Sequence, residues 1–274
     1  MKLEKTLRRH LKLQETLLEA VSAMKSLSAH HFRLSRAALP AAREYRSGIE
    51  RIIDAAEFPG PVMTGRPALL SIATDRGLCG GYTSRVADLA SAENQKKQFG
   101  AVYCIGRRQV HFLEQSGIKV SQTYASPSSV AGITRVLLGV AQEVLARYLE
   151  DEFFELDVVS ARFDGVGAFT PVTTRVLPVI PGGPSAGIPA SNYVSRRHLA
   201  AVALREYLYI ILFEILVDAL ASEHSARLAA TQSAEEWLKD RTAETKRLLA
   251  SIRREVTTQE ILDIVAGARH GRLV

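Results

Sequence analysis

Cysteine is scarce in this sequence, and its scarcity excludes two classes of small protein. The 274 residues include two cysteines, Cys79 and Cys104, which lie far apart and form no C-x-x-C pair. Disulfide scaffolds and zinc knuckles depend on several cysteines at short, fixed spacings. We therefore expect neither in this chain, and the low usage is typical of a reducing compartment.

The chain also lacks a membrane-spanning run and the features of a signal peptide. Its strongest apolar run, LYIILFEILV (208–217), is short and interrupted by Glu214, which favours a buried helix over a membrane span. The first residues, MKLEKTLRRHLKLQ, are too charged for a signal peptide. We expect a soluble chain, which leaves open that it works beside a membrane.

Positive charge is in slight excess but is not concentrated anywhere. Lys and Arg number 35 against 29 Asp and Glu, which gives a formal net charge of +6. The sequence has no arginine-rich arm and no C2H2 spacing, so we expect no nucleic-acid partner. The same surplus suits an acidic protein partner.

Glycine and proline are nearly absent from the N-terminal end, which predicts a long helix there. Residues 1–56 contain no glycine before Gly48 and a single proline, Pro40, which we expect to kink or briefly break the helix. Apolar residues recur at spacings of three, four and seven, as on one helix face. They are Leu3, Leu7, Leu11, Leu18, Val21 and Met24, with Leu17 and Leu27 widening the stripe.

A second long helix is predicted after Arg197, because no glycine or proline follows until Gly267. At 1.5 Å per residue, about 70 helical residues reach roughly 100 Å, twice the diameter of about 50 Å of a compact chain of this length. We therefore predict that 1–57 and 197–268 pair as a long antiparallel coiled coil, a rod with a globular foot. A rough 3.5-residue period marks its seam: Leu238, Thr245, Leu249, Ile252 and Val256.

The middle of the chain, 68–180, alternates short β-type runs with helical patterns. This alternation predicts an inserted Rossmann-like α/β domain with a parallel sheet, whose last two strands form an antiparallel hairpin at the edge. Proline- and glycine-rich linkers, 58–67 and 181–191, bound the domain. The candidate strands are 68–74, 101–106, 117–122, 157–163 and 170–180, and the candidate helices are 82–97, 107–116 and 128–150.

A glycine-rich bend, ATDRGLCGG (73–81), follows the first strand and raises the question of phosphate binding. The dinucleotide fingerprint needs G-x-G-x-x-G, whereas this bend reads G-x-x-G-G. A P-loop needs Lys and then Ser or Thr after the last glycine, but Tyr82 stands there. The pattern favours a bend in which only glycine tolerates a positive φ or close packing, with phosphate binding as the alternative.

Groups that could form an active site do not converge in the sequence, which contains no H-E-x-x-H and no G-x-S-x-G motif. His30 and His31 are adjacent and point to different sides of a helix, which suits a metal poorly. We expect Asp75 to cap or orient the glycine bend. No catalytic residue, metal or cofactor is predicted. Surface or packing roles are expected for the other histidines considered, His10, His111, His198 and His224.

Three segments carry a family resemblance through their order and spacing. They are VSAMKSLSAHHFRLSRA (21–37) with the Arg43 and Tyr45 that follow, the glycine bend, and LVDALASEHSARLAATQSA (216–234) with TTQEILDIVAGA (257–268). Together they resemble the γ subunit of rotary F-type ATP synthases, whose members carry S-D-R-G-L-C-G-G, S-E-x-x-A-R-M and I-T-Q-E-I stretches. The resemblance covers essentially the whole chain.

The resemblance implies a non-catalytic central-stalk rotor that couples proton or sodium flow to ATP synthesis or hydrolysis. The coiled coil is implied to lie inside a hexamer of α and β subunits, with the α/β domain on the membrane c-ring beside the ε subunit. That domain is implied to bind no nucleotide, catalysis belongs to the β subunits, and no direct small-molecule substrate is expected. Without a transit peptide, we expect a peripheral complex on the cytoplasmic face of a bacterial inner membrane.

The resemblance also implies which residues contact other subunits. Met24 and Lys25 match the stretch of the N-terminal helix that meets a β-subunit loop, and Cys79 lies in a segment implied to face the α/β ring. The facing part of the C-terminal helix is matched by Arg253, Arg254, Thr258, Gln259 and Glu260, whose polar groups act as a catch on that loop. By periodicity alone these residues also fit a solvated, charged helix face.

Several positions depart from the family pattern. The stretch 18–24 lacks the basic residues of K-I-T-K-A-M, and 29–34 replaces A-x-K-x-R-R. Glu44 stands where the family has proline, and the ending 269–274 is basic. These departures indicate a divergent branch, such as the alternative (N-type) ATPase of some bacteria. Two other classes stay open: a nucleotide-dependent enzyme built on 68–180, and a free-standing coiled-coil scaffold.

Overall fold

The structure, a computed structural model, describes residues 2–55, 65–179 and 196–270. Two long helices dominate it, α1 (Lys2–Ala55) and α5 (Arg196–His270), as predicted. The helix α1 continues through Pro40, so the expected break is wrong, and the kink expected as its alternative stays a prediction. Proline removes one backbone hydrogen bond, and the buried neighbours Leu39 and Ala42 fix the helix on both sides of it.

Five strands form the predicted central sheet: β1 (Ala68–Ile72), β2 (Ala101–Ile105), β3 (Gln122–Tyr124), β4 (Leu156–Gly165) and β5 (Ala168–Leu177). Their spatial order is β3-β2-β1-β4-β5. The first four strands are parallel, and β5 pairs antiparallel with β4 at the edge. The mixed α/β fold with its edge hairpin is therefore confirmed.

Three shorter helices connect the strands close to the predicted positions. They are α2 (Tyr82–Lys97), α3 (Arg107–Gln115) and α4 (Val130–Leu149). All five residues of β1 are buried, as in a strand covered on both faces, and successive side chains point to opposite faces of the sheet. Leu70 and Ile72 pack in a cluster with α1, α4 and α5, whereas Leu69 packs in a second cluster with α2 and α3.

The third strand is not where the sequence pattern placed it. The prediction was 117–122, but β3 begins at Gln122. The backbone N–H of Ile118 instead donates to the Leu113 carbonyl at 3.0 Å, at the end of α3. Ile118 and Val120 then pack beneath α2 and α3, so their apolar character reflects packing of a turn and not strand pairing.

The chain divides into two compact units, and the division falls inside α1 and α5. One unit contains the described residues of Met1–Ser26 and Thr231–Val274, and the other is Leu27–Ala230. The predicted boundaries at 57, 68, 180 and 197 therefore stay a prediction, as does the rod with a globular foot. Most of the two predicted linkers, and the basic ending beyond residue 270, lie outside the described residues.

Within the first unit, α1 and α5 run antiparallel. Glu4 pairs with Arg253 at 3.3 Å, and Glu15 pairs with Lys246 at 2.9 Å. A later residue of α1 thus pairs with an earlier residue of α5, as in two antiparallel helices. The predicted seam residues Leu238 and Leu249 are buried. Of the predicted N-terminal stripe, Val21 is buried, Leu7, Leu11 and Leu18 are half-buried, and Leu17 and Leu27 are exposed.

In the second unit the same helices are joined through Glu214. Its carboxylate pairs with Arg46 at 2.7 Å and with Arg43 at 3.2 Å. Glu214 interrupts the apolar run noted in the sequence, and here it binds α5 to α1. Among the described residues, no helix combines the length and hydropathy that a membrane crossing requires.

Candidate functional site

The glycine bend lies at the point of the sheet where a ligand would be expected. It follows the carboxyl end of β1, which pairs with β2 on one side and β4 on the other. The strand order reverses between β1 and β4, and open α/β sheets bind ligands at such a crevice. Gly80 has φ +56, as predicted for a glycine of this bend, but Leu78 has φ +58, so the left-handed backbone is not confined to glycine.

Arg227 of α5 fills this crevice with its guanidinium group. Its Nε donates to the Gly77 carbonyl at 3.1 Å, and its Nη2 donates to the Arg76 carbonyl at 3.4 Å. The same group forms an ion pair with Glu223 at 2.7 Å. Arg227 and Glu223 are 3% and 5% exposed, so a buried charge pair fixes the bend to the helix.

Glu223 completes the network from the other side of the arginine. Its carboxylate accepts a hydrogen bond from the Thr74 hydroxyl at 2.8 Å. Burial raises the pKa of Glu223 above its ordinary value, while the neighbouring Arg227 acts in the opposite direction. Because both charged side chains, Arg227 and Glu223, have partners, the cluster is suited to holding the backbone of the glycine bend in place and not to proton transfer.

One cavity beside this network is too small for a nucleotide. A cavity of about 10 Å³ lies between Tyr82, Pro127, Leu220 and Glu223. That is about the room that one water needs, whereas cavities that bind cofactors are typically hundreds of Å³. This one cavity therefore has no room for a nucleotide, and phosphate binding at the bend stays the alternative that the sequence left open.

Asp75 has the orienting role that the sequence predicted. One carboxylate oxygen accepts from the backbone N–H of Arg107 at 2.6 Å, at the start of α3, and the other accepts from Ser126 N–H at 3.1 Å. A carboxylate at a helix N-terminus satisfies a free N–H group and complements the helix dipole. Both oxygens are thus used by backbone.

Two histidines that appeared unrelated in the sequence are in contact. The rings of His31 and His224 stack with centroids 5.1 Å apart. His224 is 4% exposed, and its Nδ1 lies 3.5 Å from an Arg227 nitrogen. Burial, with the nearby Arg227, lowers the pKa of His224 to about 4. No sequence signal pairs these residues, because they are brought together by the register of α1 against α5.

Met24 and Lys25 lie on the half-buried side of α1 in the first unit. The Lys25 ammonium forms an ion pair with Glu235, which also pairs with Lys239 at 2.7 Å. Lys239 and Lys25 hold the pKa of Glu235 below its ordinary value. Lys25 is therefore engaged within the chain, and its predicted contact with another subunit stays a prediction.

The predicted catch residues all lie on exposed positions of α5. Arg253 pairs with Glu4 at 3.3 Å, and its side chain is 54% exposed. The Gln259 amide donates to Asp263 at 3.1 Å within the same helix. The group consists of Arg253, Arg254, Thr258, Gln259 and Glu260. Its exposure leaves it accessible to another subunit, and its contact with a β-subunit loop stays a prediction.

Cys79 is 5% exposed and packs beneath α2 and α3. Burial raises the pKa of its thiol above the ordinary value. The adjacent Leu78 is 50% exposed. A partner approaching this segment would therefore meet Leu78 and not the thiol, and the predicted role of Cys79 at an interface stays a prediction. In the part of the chain that the structure describes, no group of three His, Cys, Asp or Glu side chains could hold a metal.

A family model described as ATP synthase matches residues 4–269. Curated relatives carry the name ATP synthase gamma chain. That of Geotalea daltonii is 27% identical over 268 residues and covers 91% of this chain and 92% of its own length. The chain belongs to the ATP synthase gamma chain family. A relative from Frankia casuarinae is 28% identical over 283 residues and covers 95% of each chain.

Solved structures support the same fold for this gamma chain. A chain of the Euglena gracilis mitochondrial ATP synthase, from a structure of its OSCP, F1 and c-ring, aligns with a TM-score of 0.65 and 13% identity. The alignment covers 97% of this chain and 93% of that one. A chain of the Tetrahymena thermophila central stalk and c-ring aligns with a TM-score of 0.56. The prediction of a γ subunit of the ATP synthase central stalk is therefore confirmed.

Proposed function

We propose that this chain is the non-catalytic rotor that couples ion flow through a membrane ring to ATP synthesis or hydrolysis in a hexamer of α and β subunits. One observation carries the proposal: two long helices of a gamma chain are joined antiparallel by a ladder of ion pairs. Coupling the helices at several levels means that a twist applied to one is passed to the other. A rotor needs this property.

The proposed mechanism requires contacts that differ from one catalytic site to the next. A ligand or partner shifts a conformational equilibrium only by as much as its affinity differs between the two states. An asymmetric pair of helices inside a three-fold set of β subunits offers each site a different surface. Catalysis itself is assigned to the β subunits, with protons or sodium as the coupled ion.

Exposed side chains on α5 support a contact surface near the predicted catch. Ile261, Leu262 and Ile264 are 56%, 55% and 70% exposed. Apolar side chains clustered on the surface mark sites of protein contact. Together with Arg253, which can pair a carboxylate through two N–H groups, they suit an acidic and apolar subunit loop. Met24, Lys25 and the neighbourhood of Cys79 complete the proposed contacts.

The remaining partners and the location are part of the same proposal. The ε subunit and the c-ring are proposed to contact the α/β domain, in a complex peripheral to the cytoplasmic face of a bacterial inner membrane. Membership of the gamma chain family supports an ATP synthase partner in general. Assignment to the alternative (N-type) branch stays a prediction from the departures in the sequence.

Reconstitution tests the rotor proposal against the two other classes. Purified α and β subunits are mixed with the full chain, and the expected result is retention of the chain on the hexamer with a change in ATP turnover. A free-standing scaffold would not be retained. Calorimetry with ATP or NAD on the chain alone should give only the heat of dilution, whereas millimolar or tighter binding would instead support a nucleotide-dependent enzyme.

A further inference from the structure

The helix α4 has two apolar faces: the core buries the first, and packs against part of the second through Ala141 and Leu145. Ile133, Leu137, Val140 and Val144 are at most 1% exposed and pack into the core beneath the sheet. A second row lies one residue further round the helix, where Leu138 is 48% exposed and Leu149 is 67% exposed. Its members, Leu138, Ala141, Leu145 and Leu149, keep the spacing of three and four residues that defines one helix face.

This second face forms one wall of a groove, and α5 forms the other. The groove has a volume of about 650 Å³, and its α5 wall includes Arg205, Leu208 and Tyr209. The row on α4 spans three helical turns, about 16 Å at 1.5 Å per residue. Ala141 and Ala146 also line it, and such small side chains allow another backbone to approach closely.

The groove has unpaired positive charge beside its apolar lining. Arg205 is exposed, and no ion pair joins it to any residue in the described ranges. Arg135, one turn before Leu138, is likewise exposed and unpaired within those ranges. Glu206, an acidic group in the lining, accepts a hydrogen bond from the Tyr45 hydroxyl at 3.4 Å. The arginines therefore favour an occupant that carries carboxylates.

We propose that this groove binds an amphipathic helix of another protein, with its apolar side on Leu138, Leu145 and Leu149 and an acidic side chain toward Arg205. Helices that lie in grooves are recognised by anchors at helical spacing, and the row on α4 has that spacing. A carboxylate matches the arginine fork with two parallel hydrogen bonds. The proposal goes beyond the rotor function. It does not rest on that function, because binding of the helix can be measured with the full chain in the absence of any other ATP synthase subunit.

The test uses a fluorescent synthetic helix and the full chain. The probe is a peptide of about 18 residues, three turns with a margin at both ends, with leucines at coiled-coil spacing and glutamates beside them. A control peptide of identical composition alternates the leucines at every second residue. Fluorescence anisotropy should show saturable binding of the first peptide and at least tenfold weaker binding of the second.

Variants of the chain locate the site. Leu145→Glu and, as a more exposed alternative, Leu149→Glu should each weaken binding about tenfold or more, since a leucine anchor is lost. Arg205→Glu should weaken binding of the glutamate peptide. Exchanging the glutamates of the peptide for lysines should restore its binding to that variant. Val166→Glu, at a 69% exposed position in the β4–β5 turn, is the matched control and should leave binding unchanged. Circular dichroism verifies that each variant is folded.

Three results would overturn the proposal. The first is absence of saturable binding to the unaltered chain, or equal binding of both peptides. The second is an equal loss in Val166→Glu, which would place the peptide elsewhere. The third is Arg205-dependent binding of oleate without binding of the peptide, which would make the groove a site for an acyl chain.

Discussion

Arg227 bears a buried positive charge whose partners come from two parts of the chain. It binds the carbonyl oxygens of the glycine bend and the carboxylate of Glu223, one turn earlier on its own helix. Removing one member of a buried pair leaves the other charge unpaired in a low dielectric, which costs more than the pair contributes. Replacing Arg227 alone therefore measures the cost of leaving Glu223 unpaired.

Arg227→Leu is expected to lower the free energy of unfolding by about 3–5 kcal/mol, because Glu223 loses its counter-charge. Denaturant unfolding measures the change. Arg247→Leu is the matched control on an exposed position of the same helix and should stay within about 0.5 kcal/mol. The double variant with Glu223→Gln should recover part of the loss. An Arg227→Leu variant as stable as the control would show that the Arg227–Glu223 pair does not stabilise the fold.

His224 should make stability depend on pH in a defined window. Its pKa is about 4 in the folded chain, against an ordinary 6.5. Between these values only the unfolded chain binds the proton, so this contribution is fully present above pH 6.5 and is lost as the pH falls toward 4. The loss is about 3 kcal/mol when the shift is converted at 1.36 kcal/mol per unit.

The measurement is urea unfolding at pH 7.5 and pH 4.5 for the unaltered chain and for His224→Gln. Carboxylates elsewhere also titrate in this range. Because the variant retains all of them, their contribution cancels when the two proteins are compared. The unaltered chain should lose more stability than the variant, and His31, whose pKa is also lowered, should add to the remaining slope. Equal losses in the two proteins would contradict a neutral, buried His224.

At the scale of elements, the β4–β5 hairpin is held against α5 by backbone and by close packing. The Gly167 N–H donates to the Ser225 hydroxyl at 2.7 Å, and that hydroxyl donates to the Gly165 carbonyl at 3.1 Å. A Cβ on Gly167 would meet the Cβ of Ala229 at 3.0 Å. The turn and the helix can therefore approach only because this residue lacks a side chain.

Gly167→Ala is expected to lower the free energy of unfolding by about 1–2 kcal/mol, because its φ of +77 is unfavourable for residues with a Cβ. Gly139→Ala is the matched control within α4, where nothing lies within 4 Å of the added Cβ. That change should stabilise by about 0.5–1 kcal/mol. Thermal denaturation of the two variants should shift in opposite directions, and shifts of the same sign would refute the role given to Gly167.

At the scale of the whole molecule, function as a rotor depends on contacts that do not also stabilise the fold. The intrachain partners of Arg253 and Gln259 are Glu4 and Asp263, in exposed pairs at 3.3 and 3.1 Å. Exposed pairs contribute little to folding. Their removal should therefore affect partner contact separately from stability.

Arg253→Ala combined with Gln259→Ala is expected to impair coupled ATP turnover while the chain still folds and the hexamer still assembles. Turnover of the reconstituted complex is compared with that of Arg247→Ala combined with Gln232→Ala, the same two residue types at exposed positions outside 253–260. The control should retain turnover. Unchanged turnover in the first variant would exclude these residues from the proposed catch.

Local sequence determined much of the architecture of this protein. The helix over 82–97 was predicted to the residue, and the long terminal helices were predicted within a few residues, because periodicity and the absence of glycine and proline act over short distances. The role of Asp75 also followed from its place in a turn. Family motifs added the identity of the chain, which physical patterns alone left open.

Tertiary structure alone decided the contacts between distant segments. Arg227 and Gly77 are 150 residues apart, so no local pattern could show that the arginine fills the crevice after β1. The stacking of His31 on His224 likewise depends on the register of α1 against α5. Ile118 packs against the helix layer instead of pairing as a strand, and α1 tolerates Pro40 because its neighbours are buried. Packing supplies the free energy in each case, and it depends on the whole chain at once.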